Sequence, residues 1–280
     1  MSEARAGVGP PTAEVGIDPL PIDRSRLPDE IAGRVVRLPE NDEVRARFVA
    51  DTAPHGPLAM RAHGLLRRFA SDFDVNAWLG TYRVCLLGRA SFDAFLTKVP
   101  RRSLLDVGAG SGAVTAELAP LFERVVVTET SRGAMRALAA RWEAHAVDLA
   151  TERLPRDERF SVVSLLHVLD RAPRPRSLLA AAVERLAEDG RLLIACPLPV
   201  RAHVDRGGRT SDPDEWIEAD GEFEPALAQL VRTLIEPAGL EVERVARTTY
   251  LSQGDTRRRF IALDDALLLC RRRKPASARR

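Results

Sequence analysis

From Arg102 onward the chain alternates short apolar runs with helical segments, and this rhythm constrains the fold more than any other feature. The apolar runs lie at 103–107, 125–128, 144–147, 160–166, 190–195, 240–248 and 266–270. Helical patterns lie between them at 113–121, 132–141, 174–186 and 226–235. Parallel strands need crossover connections and are buried on both faces. The order therefore predicts a mostly parallel, seven-stranded α/β sheet with helices on both faces.

The residues before this sheet have a different composition. Proline, glycine and charge dominate residues 1–40 without a sustained apolar period, and the pattern then turns helical, including a piece at 75–87. One helical stripe is formed by Leu58, Leu65, Leu66 and Phe69. We therefore expect four parts. They are a flexible leader at 1–40, an N-terminal helical cap at 41–100, the α/β domain at 101–273 and a basic tail at 274–280.

A glycine-rich loop joins the first strand of the domain to its helix, in the segment SLLDVGAGSGAVT. The strand ends at Asp106, and Gly108, Gly110 and Gly112 follow at alternate positions. Glycines allow a sharp turn and the close approach of a ligand, which in open α/β sheets binds at the carboxyl ends of the strands. The GxGxG spacing suits a dinucleotide pyrophosphate less well than GxGxxG does.

Two carboxylates follow at the ends of the next apolar runs. Glu129 ends the second run, 17 residues beyond Gly112, where it can accept hydrogen bonds from both hydroxyls of a ribose. Asp148 ends the third run and either faces an adenine amino group or lies in a solvated loop. The pattern is that of Rossmann-like class I methyltransferases, which use S-adenosyl-L-methionine. We expect Ala109, Thr130 and Leu166 to line the same cofactor site.

The similarity extends beyond the cofactor motif. LLDVGAGSGAVT, VTETS, LLHVLDRAPRP, YLSQGD and ALDDALLL together resemble the DREV methyltransferase family, over about 65–272. Members of that family methylate histidine side chains of proteins at the pros nitrogen, the ring nitrogen nearer the backbone. The resemblance implies S-adenosyl-L-methionine as cofactor, S-adenosyl-L-homocysteine as its product, and a histidine-containing protein or peptide as substrate.

The family pattern assigns roles to particular positions. Asp106, Gly108, Gly110 and Glu129 fall where the family binds the cofactor. A second group falls in the substrate pocket: Asp170 where the family holds the substrate imidazole, Tyr250 where a tyrosine lines it, and His167 where animal members have asparagine. His167 therefore changes one hydrogen bond that the family's asparagine makes to the substrate or the cofactor, and it indicates a divergent member with its own substrate.

The chemistry of methyl transfer gives Asp170 a role. A carboxylate that accepts the far N–H of a neutral imidazole leaves the near nitrogen free to attack, and it stabilises the charge formed on the ring. Asp170 could instead cap the following helix, and His167 and Tyr250 could be packing residues. We expect Asp264 and Asp265 to serve turn or capping roles, with a possible contact to the substrate main chain.

One long loop, PLPVRAHVDRGGRTSDPDEWIEADGEF, follows the fifth strand. Its seven acidic residues, with Glu224 directly after it, outnumber its arginines, so it is either a solvated loop or an acidic flank for a basic or histidine-rich peptide.

Other function classes find little support. The net charge is +2, no basic stripe is present and no (N/D)PP(Y/F/W) motif follows the fourth strand, so nucleic acid is not expected as a partner. No run approaches the ~18–20 apolar residues of a membrane span. The N-terminus lacks the features of a secretory signal. Three cysteines without a CxxC pair predict buried, reduced thiols and no metal site. We expect a cytoplasmic protein.

Two alternatives remain open. The acceptor could be a small molecule, such as a histidine derivative or another metabolite, reached through a closed pocket under the N-terminal helices. The chain could also be a catalytically silent module that binds S-adenosylmethionine. The sequence does not indicate the oligomeric state.

Overall fold

The computed structural model describes residues 20–206 and 209–273. Its strands are β1 (Val84–Cys85), β2 (Ser103–Val107), β3 (Arg124–Thr128), β4 (Glu143–His145), β5 (Phe160–Leu166), β6 (Leu186–Pro197), β7 (Val204–Asp205), β8 (Thr210–Ser211), β9 (Leu240–Gln253) and β10 (Phe260–Arg272). Its helices are α1 (Asp29–Ala32), α2 (Glu43–Asp51), α3 (Pro57–Leu66), α4 (Asp72–Leu79), α5 (Arg89–Phe95), α6 (Ala113–Leu118), α7 (Arg132–Ala139), α8 (Pro175–Glu184) and α9 (Phe223–Leu230). Short 3-10 turns lie at Arg24–Arg26 and Ala119–Leu121, and a π-helical segment lies at Val231–Ile235.

Eight of the strands form one sheet, in the order β1-β9-β10-β6-β5-β2-β3-β4. The pairs from β4 to β6 are parallel, whereas β10 is antiparallel to both β6 and β9, and β1 is antiparallel to β9. The predicted mostly parallel α/β sheet is confirmed, with one strand more than expected. After β2 the chain adds strands on one side, and from β5 onward it adds them on the other. Ligands bind open α/β sheets at such a switch point.

Helices cover both faces of the sheet. On one face, α8 and α9 pack on the sheet through residues such as Leu178 and Leu227. On the other face, Phe92 and Phe95 of α5 and Leu118 of α6 enter the core. The central strands can therefore be apolar along their whole length, as their sequences are.

The predicted helix at 75–87 is wrong in its second half. Helix α4 ends at Leu79, because Gly80 adopts a left-handed conformation with φ +61° that closes the helix. Four residues beyond Gly80, Val84 and Cys85 pair with Ser252 and Leu251 and become the eighth strand of the sheet. The helical cap is thus continuous with the main sheet.

The expected flexible leader is also wrong for residues 20–40. Leu27, Ile31 and Leu38 are buried in the core, and Val35 forms a bridge to Val245 of β9. These apolar residues are too widely spaced to give a helical or strand period, so their burial left no signal in the sequence. Residues 1–19 and the predicted basic tail at 274–280 lie outside the described residues.

The apolar stripe of the cap does not face the core. Leu58, Leu65 and Phe69 are exposed, and Phe69 is 84% accessible. The side chains that α3 and α4 bury are His63 and Val75. The contact between these helices is partly polar, since His63 Nε2 lies 2.8 Å from the Asn76 side-chain oxygen. The periodicity identified the helices but not their buried face.

The last two strands are longer than predicted. Burial roughly alternates along β9 as far as Gln253, and β10 begins at Phe260, so both strands extend beyond their most apolar parts. Asp264 and Asp265 consequently lie within β10, and the turn or capping roles expected for them are wrong. Asp264 instead accepts a hydrogen bond from Arg247 Nε at 2.9 Å, across the strand pair.

Some absences apply to the described part of the chain. None of its helices combines the length and apolar character needed to cross a bilayer. Within the same residues, no three His, Cys, Asp or Glu side chains are grouped as metal ligands would be. Cys85, Cys196 and Cys270 are unpaired and buried, as expected.

Candidate active site

The glycine loop after β2 adopts a conformation that other residues disfavour. Gly108, Gly110 and Gly112 have φ of +72°, +56° and +74°. A Cβ on Gly108 would lie 2.7 Å from Val168 Cγ2, and one on Gly112 would lie 2.8 Å from the ring of Trp142. The loop is fixed to β3 because the N–H groups of Gly108 and Ala109 donate to the Thr128 carbonyl oxygen. Backbone alone faces the space beside Gly110, where no atom lies within 4 Å of an added Cβ.

Asp106 lies in β2, directly before this loop, and fixes the strand that carries it. Its buried carboxylate accepts a hydrogen bond from Thr115 Oγ1 of α6 and another from Ser164 Oγ of β5, each at 2.6 Å. Burial raises the pKa of Asp106, and the two hydroxyl hydrogen bonds oppose that change. The carboxylate therefore joins β2 to α6 and β5. The sequence pattern alone does not distinguish this role from contact with a ligand.

Glu129 lies between the glycine loop and the start of α7. One carboxylate oxygen accepts the Gly110 N–H at 2.7 Å, and the other accepts the N–H groups of Thr130 and Ser131 at 2.7 and 2.8 Å. A carboxylate has about four lone-pair sites, so the side chain retains capacity for a ligand hydroxyl. This is the position predicted for a ribose-binding carboxylate.

Asp148 lies three residues beyond the end of β4. Its Oδ1 accepts the Ala150 N–H at 3.0 Å and so stabilises the local turn. The other oxygen, Oδ2, has no hydrogen-bond partner among residues 20–206 and 209–273. Contact with an adenine amino group stays a prediction.

The helical cap docks beside Glu129, a contact that the sequence did not reveal. Asp74 of α4 accepts hydrogen bonds from Ser131 Oγ and the Gly133 N–H at 2.7 and 2.8 Å. A Cβ on Gly133 would lie 2.9 Å from the Asp74 carbonyl oxygen, so the two helices can approach only because that position is glycine. Burial acts to raise the pKa of Asp74, but the hydrogen bonds from Gly133, Ser131 and Ser71 outweigh it and lower the pKa.

His167 follows Leu166, the last residue of β5, in a left-handed conformation with φ +57°. This conformation is unusual for a residue other than glycine and is held here by a hydrogen bond from the His167 N–H to the Ala195 carbonyl oxygen. The imidazole stacks on Tyr250, with ring centroids 3.5 Å apart. Its Nε2 lies 3.1 Å from Asp265 Oδ1, although the two groups are not well aligned for a hydrogen bond.

Asp170 lies in the turn after β5 and is 2% accessible. Its Oδ2 is 3.0 Å from Arg171 Nε, yet neither oxygen accepts a well-aligned hydrogen bond within the described part of the chain. Helix α8 begins at Pro175 with Arg174 at its N-cap, which rules out the capping role for Asp170. A buried carboxylate without such a partner is costly unless a ligand satisfies it.

Sequence reasoning gave Asp265 a turn or capping role, or a contact to the substrate main chain, and did not place it beside His167. It is fully buried, and its oxygens have no well-aligned hydrogen bond among the described residues. Burial raises the pKa of Asp265, and it also raises the pKa of the Tyr250 hydroxyl, to which Asp170 adds. The break in apolar character at LDDALLL was the available signal, since a strand that continues through two carboxylates must satisfy or use them.

The long acidic loop carries less free charge than its composition suggests. Asp214 is paired with Arg174 and Arg206. Glu215 accepts hydrogen bonds from Ser177 at the start of α8, and Asp205 accepts the Asp72 N–H. The acidic flank envisaged for a peptide is therefore partly neutralised.

All of these groups meet at one edge of the sheet. The carboxyl ends of β2, β3, β5 and β9 lie there, together with the start of β10, because Asp265 pairs with Pro197 at the end of β6. The glycine loop with its close backbone approach and Glu129 fit the cofactor predicted from the sequence. The fold and this site define a class I methyltransferase.

The family follows from comparison with known sequences. The model of the DREV methyltransferase family matches residues 58–272, and the chain belongs to that family. It is an S-adenosylmethionine-dependent methyltransferase, as predicted.

Two solved structures illustrate the similarity. The N-methyltransferase NodS from Bradyrhizobium japonicum WM9, in complex with S-adenosyl-L-homocysteine, is 18% identical, with a TM-score of 0.44 over 65% of this chain and 84% of that one. The glycopeptide N-methyltransferase MtfA, complexed with S-adenosyl-L-methionine, is 19% identical, with a TM-score of 0.45 over 67% of this chain and 88% of that one.

Proposed function

We propose that this enzyme methylates the pros nitrogen of a histidine side chain in a protein or peptide. The observation that carries the proposal is the Asp170 carboxylate, which is buried at the cofactor edge of the sheet and lacks a well-aligned hydrogen bond among the described residues. A ligand that donates an N–H group to Asp170 would satisfy it. The resemblance to histidine-methylating relatives makes an imidazole the expected donor.

The physical role of Asp170 follows from the two nitrogens of an imidazole. A neutral ring has one N–H group and one lone pair. When Asp170 accepts the N–H of the tele nitrogen, the lone pair is confined to the pros nitrogen. Bound S-adenosylmethionine supplies the methyl group on a positively charged sulfur. The protein contributes mainly by positioning the acceptor nitrogen in line.

Asp170 also acts on the product side of the reaction. Methylation leaves a positive charge on the imidazole, and a nearby buried carboxylate stabilises that charge more strongly than water would. Tyr250 provides a flat surface at the same place, and burial raises the pKa of its hydroxyl, so the phenol stays neutral. Neutral Tyr250 can orient a ring without competing for a proton.

A small imidazole-containing metabolite is the second candidate acceptor. Two observations favour it over a peptide: Asp170 and Asp265 are deeply buried, and the acids of the long loop are partly paired with arginines. A long peptide would have to bring its histidine down to these groups.

The experiment that tests the proposal uses S-adenosylmethionine with a deuterated methyl group. The acceptors are a synthetic peptide with one histidine, the same peptide with alanine in its place, and free L-histidine. We expect label on the pros nitrogen of the peptide histidine, separated from the tele isomer by chromatography. Label on free histidine alone would favour the metabolite, and label on lysine, arginine or oxygen would contradict histidine methylation.

A further inference from the structure

His167 carries an imidazole into the pocket proposed for a substrate imidazole. It directly follows Leu166, and the next residue, Val168, packs against Gly108 of the cofactor loop. Its ring stacks on Tyr250, the residue expected to line that pocket. The chain therefore places its own histidine one residue from a side chain that contacts the cofactor loop.

The two nitrogens of His167 have different surroundings. The tele nitrogen, Nε2, lies 3.1 Å from the fully buried Asp265 carboxylate. Neither nitrogen makes a well-aligned hydrogen bond among the described residues, and only Nε2 has a carboxylate within ion-pair distance. A carboxylate beside one nitrogen favours the tautomer with its hydrogen there and leaves the lone pair on the other. This is the arrangement that the proposed function requires of a substrate histidine.

The surroundings also suit the positive charge that methylation would leave on this ring. Asp265 of β10 and Asp170 of the turn after β5 are buried nearby. Burial raises the pKa of Asp265, and the neighbouring His167 opposes that rise. Burial also raises the pKa values of Tyr250 and Cys196, which stay neutral. Arg171 is the opposing cation of the turn, and its side chain is partly exposed beside Asp170. Two carboxylates therefore face one partly solvated guanidinium.

We propose that His167 is itself a methyl acceptor and that the enzyme methylates it at the pros nitrogen. The inference rests on the imidazole chemistry of the proposed function. The Nδ1 lone pair forms the new N–CH3 bond, and the pair of the broken S–CH3 bond remains on the sulfur of the departing S-adenosylhomocysteine. The hydrogen stays on Nε2, so the product is a methylimidazolium whose charge Asp265 stabilises.

The test begins with the full-length chain and S-adenosylmethionine carrying a deuterated methyl group, without any added acceptor. The deuterium separates the reaction from methylation during expression. We expect a gain of one deuterated methyl per chain, located by peptide sequencing at His167 and identified as the pros isomer by chromatography. His145 is an internal control, because its Nε2 lies 3.3 Å from Glu143 Oε1 but it sits at β4, away from Asp170 and Tyr250.

Two variants and one spectrum separate enzymatic methylation from chance alkylation. His167→Asn should take up no label. Asp265→Asn should slow labelling at least about tenfold, since one preorganised electrostatic contact is lost, while binding of S-adenosylhomocysteine is unchanged. Nitrogen NMR of 15N-histidine protein should show His167 with its hydrogen on Nε2, and a mixture of tautomers in Asp265→Asn.

The outcomes distinguish this inference from the proposed function. Methylation of the test peptide with neither a deuterated nor an unlabelled methyl group on His167 would overturn the inference alone. Label on His167 with none on peptide or free histidine would support the inference and remove the proposed substrate. Equal label on His145 and His167 would overturn the inference, because it would indicate uncatalysed reaction.

Discussion

Replacing Glu129 with alanine should weaken cofactor binding. The Glu129 carboxylate accepts three backbone hydrogen bonds, from Gly110, Thr130 and Ser131, at 2.7 to 2.8 Å. It thereby fixes the glycine loop relative to α7, and it is also the group expected to bind the ribose hydroxyls. Hydrogen bonds to a charged group contribute about 1.5–3 kcal/mol each. Loss of even one such contribution lowers the affinity at least roughly tenfold.

Calorimetry with S-adenosylhomocysteine measures this effect directly. Glu123→Ala is the matched control, because Glu123 is exposed and lies before β3, at the opposite edge of the sheet. The control should retain the affinity of the unmodified protein. A Glu129→Ala variant that is folded and binds S-adenosylhomocysteine within about twofold of the control would refute the assignment of Glu129.

Three further predictions concern stability. Gly112→Ala should lower the melting temperature and the S-adenosylhomocysteine affinity more than Gly239→Ala does. Both glycines have φ +74°, but only Gly112 would place a Cβ 2.8 Å from Trp142. Equal effects would show that the contact is unimportant. Ile31→Ala should reduce the free energy of unfolding by about 2–5 kcal/mol in denaturant titrations, whereas Leu58→Ala on the exposed cap should change it little. An equally small effect of Ile31→Ala would mean that residues 20–40 do not pack as described. Asp74→Asn should lower the melting temperature at neutral pH. Because folding lowers the pKa of Asp74, its charge stabilises the fold above its usual pKa of 3.8, and this stabilisation is lost as the pH falls through the folded pKa. A difference from the unmodified protein that persisted at the lowest pH would contradict the role of its charge.

The sequence predicted those features that depend on local pattern. Ser103–Val107 and Phe160–Leu166 were predicted with their observed bounds because each is a short, mostly apolar run flanked by a polar residue or glycine. The glycine loop was predicted because alternate glycines before a helix indicate positive φ, which all three adopt. Family motifs then pointed to Asp170, Tyr250 and His167. Their catalytic roles stay predictions, but the structure does bring the three side chains to one edge of the sheet.

The features that were missed depend on contacts between distant residues. Val84–Cys85 is too short to show a strand pattern and forms one only because β9 offers a free edge. Leu27, Ile31 and Leu38 lack periodicity and are buried by tertiary packing. Asp265 was taken for a turn residue because carboxylates are rare inside buried strands, and its place beside His167 follows from the pairing of β10 with β6.

The most direct test of the central claim is the rate of histidine methylation by Asp170→Asn. The substitution keeps the size of the side chain but removes the charge, and its amide can donate where a carboxylate only accepts. We predict that turnover falls by roughly 10²-fold or more, while S-adenosylhomocysteine binds as before and circular dichroism shows an intact fold. Asp212→Asn, on the exposed part of the long loop, serves as the control and should keep full activity. Full activity of a folded Asp170→Asn enzyme would contradict the claim that Asp170 holds the acceptor imidazole.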